Sequence, residues 1–521
     1  MNENSFITGQ ELLNAIETQT TSSDGRFQLR DFVSPLIDYC LDGNYSARIG
    51  MVYGLRSTGK TVGMLQAIEE LMKRGHLVAY GQYSYDSTAM SEVNEQILSL
   101  VRSGYKFFFI DEASYLSGFL NQSASWADTF MPVNKIKIVI SGTDSFLLNA
   151  AQITSLFHRF VQFSSNWNSF SEFKRITGKS FAEYKRIGGI FTDESMPRFI
   201  RSAIVDNLIH TLEHCLEDAN RQTVYTSRLF GIGPDIIYKA VISILKCTAD
   251  DAIVRHFVSK SAQKNISDLG SALANLSNRQ KRDIKERVAE AIEPYRDFTP
   301  IRHPQEVIEA LLEFLTEIGC LSTFHIGANE YGSNDAYAFA HNALMNYSIN
   351  ETKNGILQTS GIDKTEFTLS VEQAAEGAIN ENIVLAHIIH ATENYHDAKS
   401  FKYQDIKQRE IDAVLIDRES KSACLIEVKS KSRISPGSVF SDEARHLFDA
   451  EVMKQLGFDQ DYTIARIIAY NGSETVVVSE NQDLLLVNIE QLAENAHRLG
   501  AFIVEVCNRA PYVWVGAAKE K

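Results

Sequence analysis

The sequence predicts an α/β chain of several domains: apolar strands and amphipathic helices around a glycine-bounded loop near the amino end, a helical middle, and a second α/β domain at the carboxy end. Three observations predict it. A glycine-bounded loop stands between an apolar strand and an amphipathic helix at 47–76. A second apolar run, at 105–116, ends in two adjacent acids. In the last third, acids fall on a helix and on two successive strands, the last of them in an acid-x-lysine triplet.

The bounds suit that reading. At 521 residues, 44% hydrophobic and 22% charged, the chain is long enough for three or four domains with real cores. A net charge of -15 repels polyanions, so any contact with DNA or RNA must come from a local basic patch. Two patches qualify, "NRQKRDIKER" at 278–287 and the group Lys429, Lys431 and Arg433, although solvated faces have the same composition. The six cysteines are far apart and form no C-x-x-C, which speaks against a disulfide framework or a cysteine zinc site and suits a reducing compartment. The amino terminus lacks a basic segment followed by an apolar one, and no apolar run approaches the roughly 20 residues that span a bilayer. A soluble cytoplasmic protein without a membrane partner is the expectation.

The first element is "ARIGMVYGLRSTGKTVGMLQAIEELMKRGH" (47–76): a strand, a loop, and a helix with Val62, Leu65, Ile68 and Leu71 or Met72 on one face. The loop, Gly54, Leu55, Arg56, Ser57, Thr58, Gly59, Lys60 and Thr61, matches G-x-x-x-x-G-K-[ST] in full. Its glycines let the backbone wrap an anion, with N–H groups aimed at phosphate oxygens at a helix N-terminus. Lys60 would reach the β and γ phosphates of ATP, and Thr61 would give a hydroxyl to Mg2+. The second element, "YKFFFIDEASYL" (105–116), brings Asp111 to hold the magnesium shell and Glu112 to polarise the attacking water. The third strand, "KIKIVISGTDS" (135–145), ends where a sensor side chain would sit beside the γ-phosphate; Thr143 is the choice, with Ser141 and Asp144 as rivals. Arg159, in "SLFHRFVQFSSNWNSFSEF" (155–173), suits an arginine finger or equally a surface salt bridge.

Taken together, "GLRSTGKT", "FFFIDEASYL", "IVISGTDS" and "HRF" followed by "SEF" resemble the prokaryotic AAA-type P-loop ATPases of the archaeal and bacterial expanded group. Many of these join the ATPase to a winged helix and a restriction-endonuclease-like carboxy-terminal domain. The resemblance implies an α/β fold with nucleotide at the carboxy ends of a parallel sheet. The expected order is an amino-terminal segment (1–46), a P-loop NTPase core (47–165), a helical lid and connector (166–220), a winged-helix-like domain (221–335) and a nuclease-like domain (340–521).

In the middle, "HPQEVIEALLEFLTEIGCLSTF" (303–324) carries an apolar stripe of Val307, Leu311, Leu312, Leu315 and Ile318 and then a strand-like tail. That order resembles the last helix and wing of a winged helix. The stretch is poor in lysine and arginine, which favours packing or a protein partner over DNA readout. A soft boundary follows in "IGANEYGSNDAYAF" (326–339).

The carboxy-terminal elements place Glu381 on a helix (371–391), Asp412 on a strand, and Glu427 and Lys429 on the next strand, where alternation points both the same way. Two carboxylates at adjacent strand ends can share one divalent ion that polarises a phosphodiester, while Lys429 orients or deprotonates water. The order resembles the PD-(D/E)xK nuclease pattern found at the carboxy terminus of the same ATPases. One departure stands upstream: "YAFAHNAL" has His341 and Asn342 where the resembling proteins often have an aspartate in a tyrosine-rich strand. His387, His390 and His396 lack the companions of a familiar zinc spacing and read as core or surface histidines. No G-x-S-x-G appears, so a serine hydrolase is not indicated.

The function expected is ATP binding and hydrolysis gating a nuclease-like domain that acts on DNA or RNA. The alternative is a nucleotide-dependent switch or scaffold whose inactive carboxy-terminal domain binds a protein partner. A protein-remodelling hexamer is weaker, because pore-loop aromatics are not evident. Arg159 as a finger requires a neighbouring copy, hence a homo-oligomer, or a lid folded back within the chain.

Overall fold

A computed structural model describes residues 5–22, 25–43, 48–55, 57–83, 88–142, 159–165, 167–189, 191, 241, 311–313, 315–316, 319–331, 334–359, 364–392, 398–407, 409–435, 439–440, 444–473, 475–479, 483–510 and 512–514. Arg56, Thr143, Asp144, His396, the basic run 278–287, the expected lid from 192 to 220 and most of the expected winged-helix stretch lie outside the described residues.

The amino-terminal half is built on a six-stranded sheet. Its strands are β1 (Phe6–Ile7), β4 (Ile49–Tyr53), β5 (Val78–Gln82), β6 (Phe107–Asp111), β7 (Lys137–Gly142) and β8 (Phe160–Ser164), in the order β1-β5-β6-β7-β4-β8. A short hairpin, β2 (Thr21–Ser22) and β3 (Gly25–Arg26), stands apart from it. β4 to β8 are mutually parallel, and β1 adds an antiparallel edge to β5. Both faces are covered, which is why β6 reads as an unbroken apolar run instead of an alternation.

Residues of each strand divide between the two layers by parity. Phe107 and Phe109 face a core with α1 (Gly9–Thr20), α2 (Val33–Leu41) and α3 (Lys60–Lys73), whereas Phe108 and Ile110 face α4 (Met90–Arg102) and Trp126. Full burial of a side chain of this size stabilises by about 2–3 kcal/mol. The residues before the loop are part of this half: Leu12, Ile16, Phe32, Val33, Leu36 and Ile37 share the core of Leu65 and Ile68. Gly63 lets α3 approach them, since a Cβ there would lie 2.2 Å from Phe32 Cζ. On the other face stand α5 (Phe119–Ser125) and α6 (Met131–Asn134).

After β8 come α7 (Phe170–Thr177) and α8 (Phe181–Ile187). Each begins on a serine cap, Ser169 accepting from Glu172 N at 3.0 Å and Ser180 forming a reciprocal capping box with Glu183. Their inner residues, Phe170, Phe173, Phe181 and Tyr184, lie in one apolar cluster with Ala343, Leu344, Ile383 and Ile388 of the carboxy-terminal half.

That half holds a nine-stranded sheet, order β10-β9-β11-β12-β13-β14-β16-β15-β17. The stretch 326–339, expected as a boundary, belongs to a hairpin. β9 (Leu321–Gly327) pairs with β10 (Asn334–Phe339), and β9 joins β11 (Ala398–Gln404) in parallel. The strand-like tail expected as a wing is thus part of the carboxy-terminal sheet, paired with β10 on one side and β11 on the other.

β11, β12 (Glu410–Asp417) and β13 (Ser422–Lys429) form an antiparallel meander, and β14 (Thr463–Tyr470) runs parallel to β13. β15 (Val476–Ser479), β16 (Asp483–Asn488) and β17 (Tyr512–Trp514) complete the sheet. Two helices, α9 (Asn342–Thr359) and α10 (Lys364–Thr392), precede the meander, and α10 lies across β11 to β13. α11 (Ala450–Gln455) precedes β14; α12 (Ile489–Asn495) and α13 (Leu499–Arg509) follow β16. Among the described residues, no helix is long and apolar enough to cross a membrane.

Candidate functional site

The glycine-bounded loop leaves the carboxy end of β4 and enters α3. Ser57 (φ 64°) and Gly59 (φ 83°) take the left-handed conformation, which turns the loop back on itself before Lys60 opens the helix. Lys60 is buried, and its Nζ donates to the carbonyls of Gly54 at 2.7 Å and Leu55 at 2.9 Å, so the ammonium is held inside the loop. Thr58 Oγ1 lies 2.7 Å from Leu55 O and 2.8 Å from Ser165 Oγ at the end of β8. Gly59 faces Arg30, whose Nη1 would lie 2.6 Å from any Cβ there; the position accepts nothing larger than glycine.

Asp111 ends β6, with β7 between it and β4. It is fully buried and saturated with donors: Thr61 Oγ1 at 2.7 Å and Tyr80 OH at 3.0 Å on Oδ2, Glu112 N at 3.1 Å and Ser141 Oγ on Oδ1. Burial and the Asp111 charge hold the Tyr80 phenol far above its ordinary range, so Tyr80 stays a donor. Glu112 follows with φ 57°, a left-handed backbone uncommon for glutamate and of the kind that clusters at functional sites. The structure therefore brings Lys60, Thr61, Asp111 and Ser141 together.

Arg159 is placed differently. Its carbonyl accepts from Ile49 N at 2.9 Å, level with the amino end of β4, and its Nε pairs with Asp128 at 2.6 Å. Five strand residues separate that level from the loop, about 16 Å at strand rise. Within one chain Arg159 thus lies at the edge of the sheet opposite the loop.

The oxygens of Thr61 and Asp111 suit magnesium, which takes one or two protein carboxylate or hydroxyl oxygens and completes its shell with phosphates and water. This sheet and loop have the P-loop NTPase fold, as the sequence predicted.

The second site lies on the meander. Its four expected residues converge, and a fifth joins them. Lys402, buried on β11, pairs with Glu381 of α10 at 2.5 Å and stands 3.7 Å from Asp412 and 3.9 Å from Glu410. A β-bulge in β12 aims Asp412 there. Pairing shifts between Phe401↔Val414 and Tyr403↔Ile411, so two residues, Asp412 and Ala413, oppose Lys402 alone. Asp412 Oδ2 accepts from Val428 N at 2.7 Å, and Lys429 pairs with Glu427 at 2.5 Å.

Burial first, then the Glu381 charge, pushes the Asp412 carboxyl up, against the pull of Lys402 and Lys429. Burial and Asp412 likewise push Glu427 up. Burial lowers Lys402, but its three acids outweigh that and keep it charged. Among the described residues, no group of three His, Cys, Asp or Glu side chains is arranged to hold a metal ion. Asp412 and Glu427 still offer two carboxylates at adjacent strand ends, the number magnesium uses when a phosphate supplies the rest.

The histidines serve packing. His387 Nδ1 donates to Ile383 O at 2.7 Å, its Nε2 accepts from Phe170 N at 3.1 Å, and the ring meets Trp167 edge-on at 4.9 Å. His390 lies against Trp167 at 4.5 Å. His341 is buried against Gly189, and Asn342 donates to Tyr184 O at 3.2 Å, so the departure noted in the sequence falls where the two halves meet. Sequence reasoning missed Lys402, Tyr80 and Arg30. The only signal for Lys402 was a lysine between two aromatic strand residues, and Arg30 carried none.

Residues 46–174 match the model of the AAA domain, a similarity that supports nucleotide binding. Residues 376–478, which include all five residues of the second cluster, match a domain of unknown function, DUF4143. Similar solved structures include the S. cerevisiae Hsp104–ADP complex (12% identity, TM-score 0.25, covering 75% of this chain and 61% of that one). The Aeropyrum pernix Orc1 protein in complex with DNA (12%, 0.22, 63% and 91%) and AMPPCP-bound DnaA from Aquifex aeolicus (15%, 0.22, 58% and 93%) are also similar. The chain thus spans 61% of the length of the Hsp104 chain. No curated protein matches it.

Proposed function

We propose that the loop at 54–61 binds ATP with Mg2+ and hydrolyses it, and that the nucleotide state gates a nuclease-like carboxy-terminal domain acting on DNA or RNA. The observation that carries the first part is the 2.7 Å contact of Thr61 with Asp111, which joins the end of the phosphate loop to the acidic strand end. Lys60 exchanges its loop carbonyls for the β and γ phosphates. Thr61 and Asp111 would hold Mg2+, which would supply positive charge to offset that of the phosphates. Glu112 takes a proton from water as the water oxygen bonds to the γ-phosphorus; the bond to the β–γ bridging oxygen breaks, leaving ADP and phosphate. Ser141 or Thr143 senses the γ-phosphate. Arg159, remote from its own loop, serves a neighbouring copy, and sizing with and without AMPPNP tests that assembly.

The nuclease-like reading is supported by the element order α10-β11-β12-β13-α11-β14, with Asp412 and Glu427 at adjacent strand ends. There Asp412 and Glu427 would hold Mg2+, Glu381 would orient the cluster, and Lys429 would take a proton from the attacking water. A second reading, an inactive domain that binds a protein partner, is favoured by one observation: the ion pairs of Lys402 and Lys429 neutralise the acids from within. Metal-dependent cleavage of single- and double-stranded DNA and RNA by wild type and Lys429→Ala, with and without ATP, separates the two. ATP-dependent cleavage by wild type alone supports gating. No cleavage by a wild type that binds ATP supports the partner-binding reading. Lys60→Ala is expected to abolish ATP binding, measured by calorimetry, and retained binding would overturn the loop assignment.

A further inference from the structure

Arg30 lies outside every motif of the loop and nevertheless touches it. Only 4% exposed, it engages each nitrogen of its guanidinium with a different partner: Nη1 donates to the carbonyl of Thr58, Nη2 to Asn168 Oδ1, and Nε to Glu172 Oε1 at 2.7 Å. The ring of Phe32 flanks it at 5.2 Å and that of Phe191 at 4.7 Å. A buried arginine is costly unless its fork is satisfied, and a planar fork so fixed cannot rotate without losing a partner.

The same partners lead away from the loop. Asn168 Nδ2 donates to Gly189 O at 3.0 Å, and Gly189 lies against His341. Gly188 O accepts from Ala343 N at 3.2 Å. Phe191 N donates to Ser57 O at 3.0 Å, a second tie between this segment and the loop. On α7, which carries Glu172, Phe170 N donates to His387 Nε2. The segment 165–191 is therefore held by the phosphate loop at one face and by the carboxy-terminal half at the other.

We infer that Arg30 is a positioning residue that clamps the phosphate loop to the segment 165–191, so that nucleotide at the loop is felt where the carboxy-terminal half docks. The inference rests on nucleotide binding at the loop and supplies the physical connection that gating needs. Phosphate drawn onto the loop amides displaces the Thr58 carbonyl; the guanidinium, fixed by Glu172 and the two rings, passes the strain to Asn168 and from there to Gly189.

Hydrogen exchange of the full chain, with and without AMPPNP and Mg2+, tests it. In wild type the analogue slows exchange about fivefold or more in peptides spanning 341–346 and 383–388 as well as in the loop. Asn168→Ser, which alters neither the loop nor the Thr61–Asp111 pair, keeps analogue affinity within about twofold and loses the remote response. Arg30→Lys keeps the charge beside Glu172 but cannot reach all three partners. It loses the remote response and lowers kcat about tenfold more than it raises KM. Remote slowing that persists in Asn168→Ser, or that is missing from a wild type whose loop is protected, overturns the inference. A wild type whose loop is not protected overturns nucleotide binding itself and is recognised by that sign.

Discussion

Lowering the pH from 7 to 5 is expected to loosen the contact between the two halves through His387. Its imidazole is neutral by construction, with Nδ1 donating to Ile383 O and Nε2 accepting from Phe170 N. A second proton would have to sit on Nε2, against an N–H that already points there. Burial, above all, pushes its pKa down to about 4, with His390 and His497 adding repulsion against the pull of the Ile383 carbonyl. Because the folded value lies below the unfolded value of about 6.5, the unfolded chain binds more protons between the two. Stability is therefore complete above about pH 6.5 and falls as pH drops toward 4. At pH 5 the loss from this one group is about 2 kcal/mol. The assay is urea unfolding followed by tryptophan fluorescence, to which Trp167, lying against both His387 and His390, contributes with Trp126 and Trp514. His387→Gln offers an acceptor and a donor without titrating. It should lose about 2 kcal/mol less than wild type between pH 7 and 5, a difference that cancels every other titrating group. Equal losses in the two proteins would refute the role of His387.

Gly59→Ala places a methyl 2.6 Å from Arg30 Nη1 on a backbone with φ 83°, and should destabilise by about 1–3 kcal/mol while abolishing ATP binding. A melting curve and calorimetric titration check it; wild-type affinity would count against the clamp. Lys402→Met leaves Glu381, Asp412 and Glu410 without their shared cation and should cost about 3 kcal/mol in urea unfolding at pH 7.5. Millimolar Mn2+ should raise the melting temperature of this variant more than that of wild type, since a divalent ion can supply the missing charge. An identical response would show that the acids are not held together by Lys402.

What the sequence made legible divides by distance along the chain. The loop from Gly54 to Thr61 is one contiguous stretch whose glycine, lysine and threonine spacing is itself a local signal, so it could be picked out without knowing the fold, although the left-handed turn at Ser57 could not. Asp111 was readable because an apolar strand that ends in an acid is itself a local signal. The ties that make these residues a site are not local. Thr61 meets Asp111 across 50 residues, and Arg30 meets Asn168 across 138. No spacing rule encodes such contacts, because they depend on which strand lies beside which in the parallel sheet.

The carboxy-terminal cluster shows the same limit inside a single hairpin. Strict alternation from Val414 back to Ile411 would put these two on opposite faces, yet both are buried in the same core, while Ala413 lies in the other. The bulge at Asp412 and Ala413 accounts for that change of parity, and a bulge leaves no mark in the pattern of apolar residues beyond one extra position. Its consequence is chemical. Asp412 comes within reach of Lys402 and its Oδ2 accepts a hydrogen bond from the backbone N–H of Val428, so it has partners on both neighbouring strands. Glu381, Asp412, Glu427 and Lys429 could be picked out by type and order. That they meet around a buried lysine follows only from the register, and this lysine is what makes metal binding and internal neutralisation two competing fates for the same carboxylates.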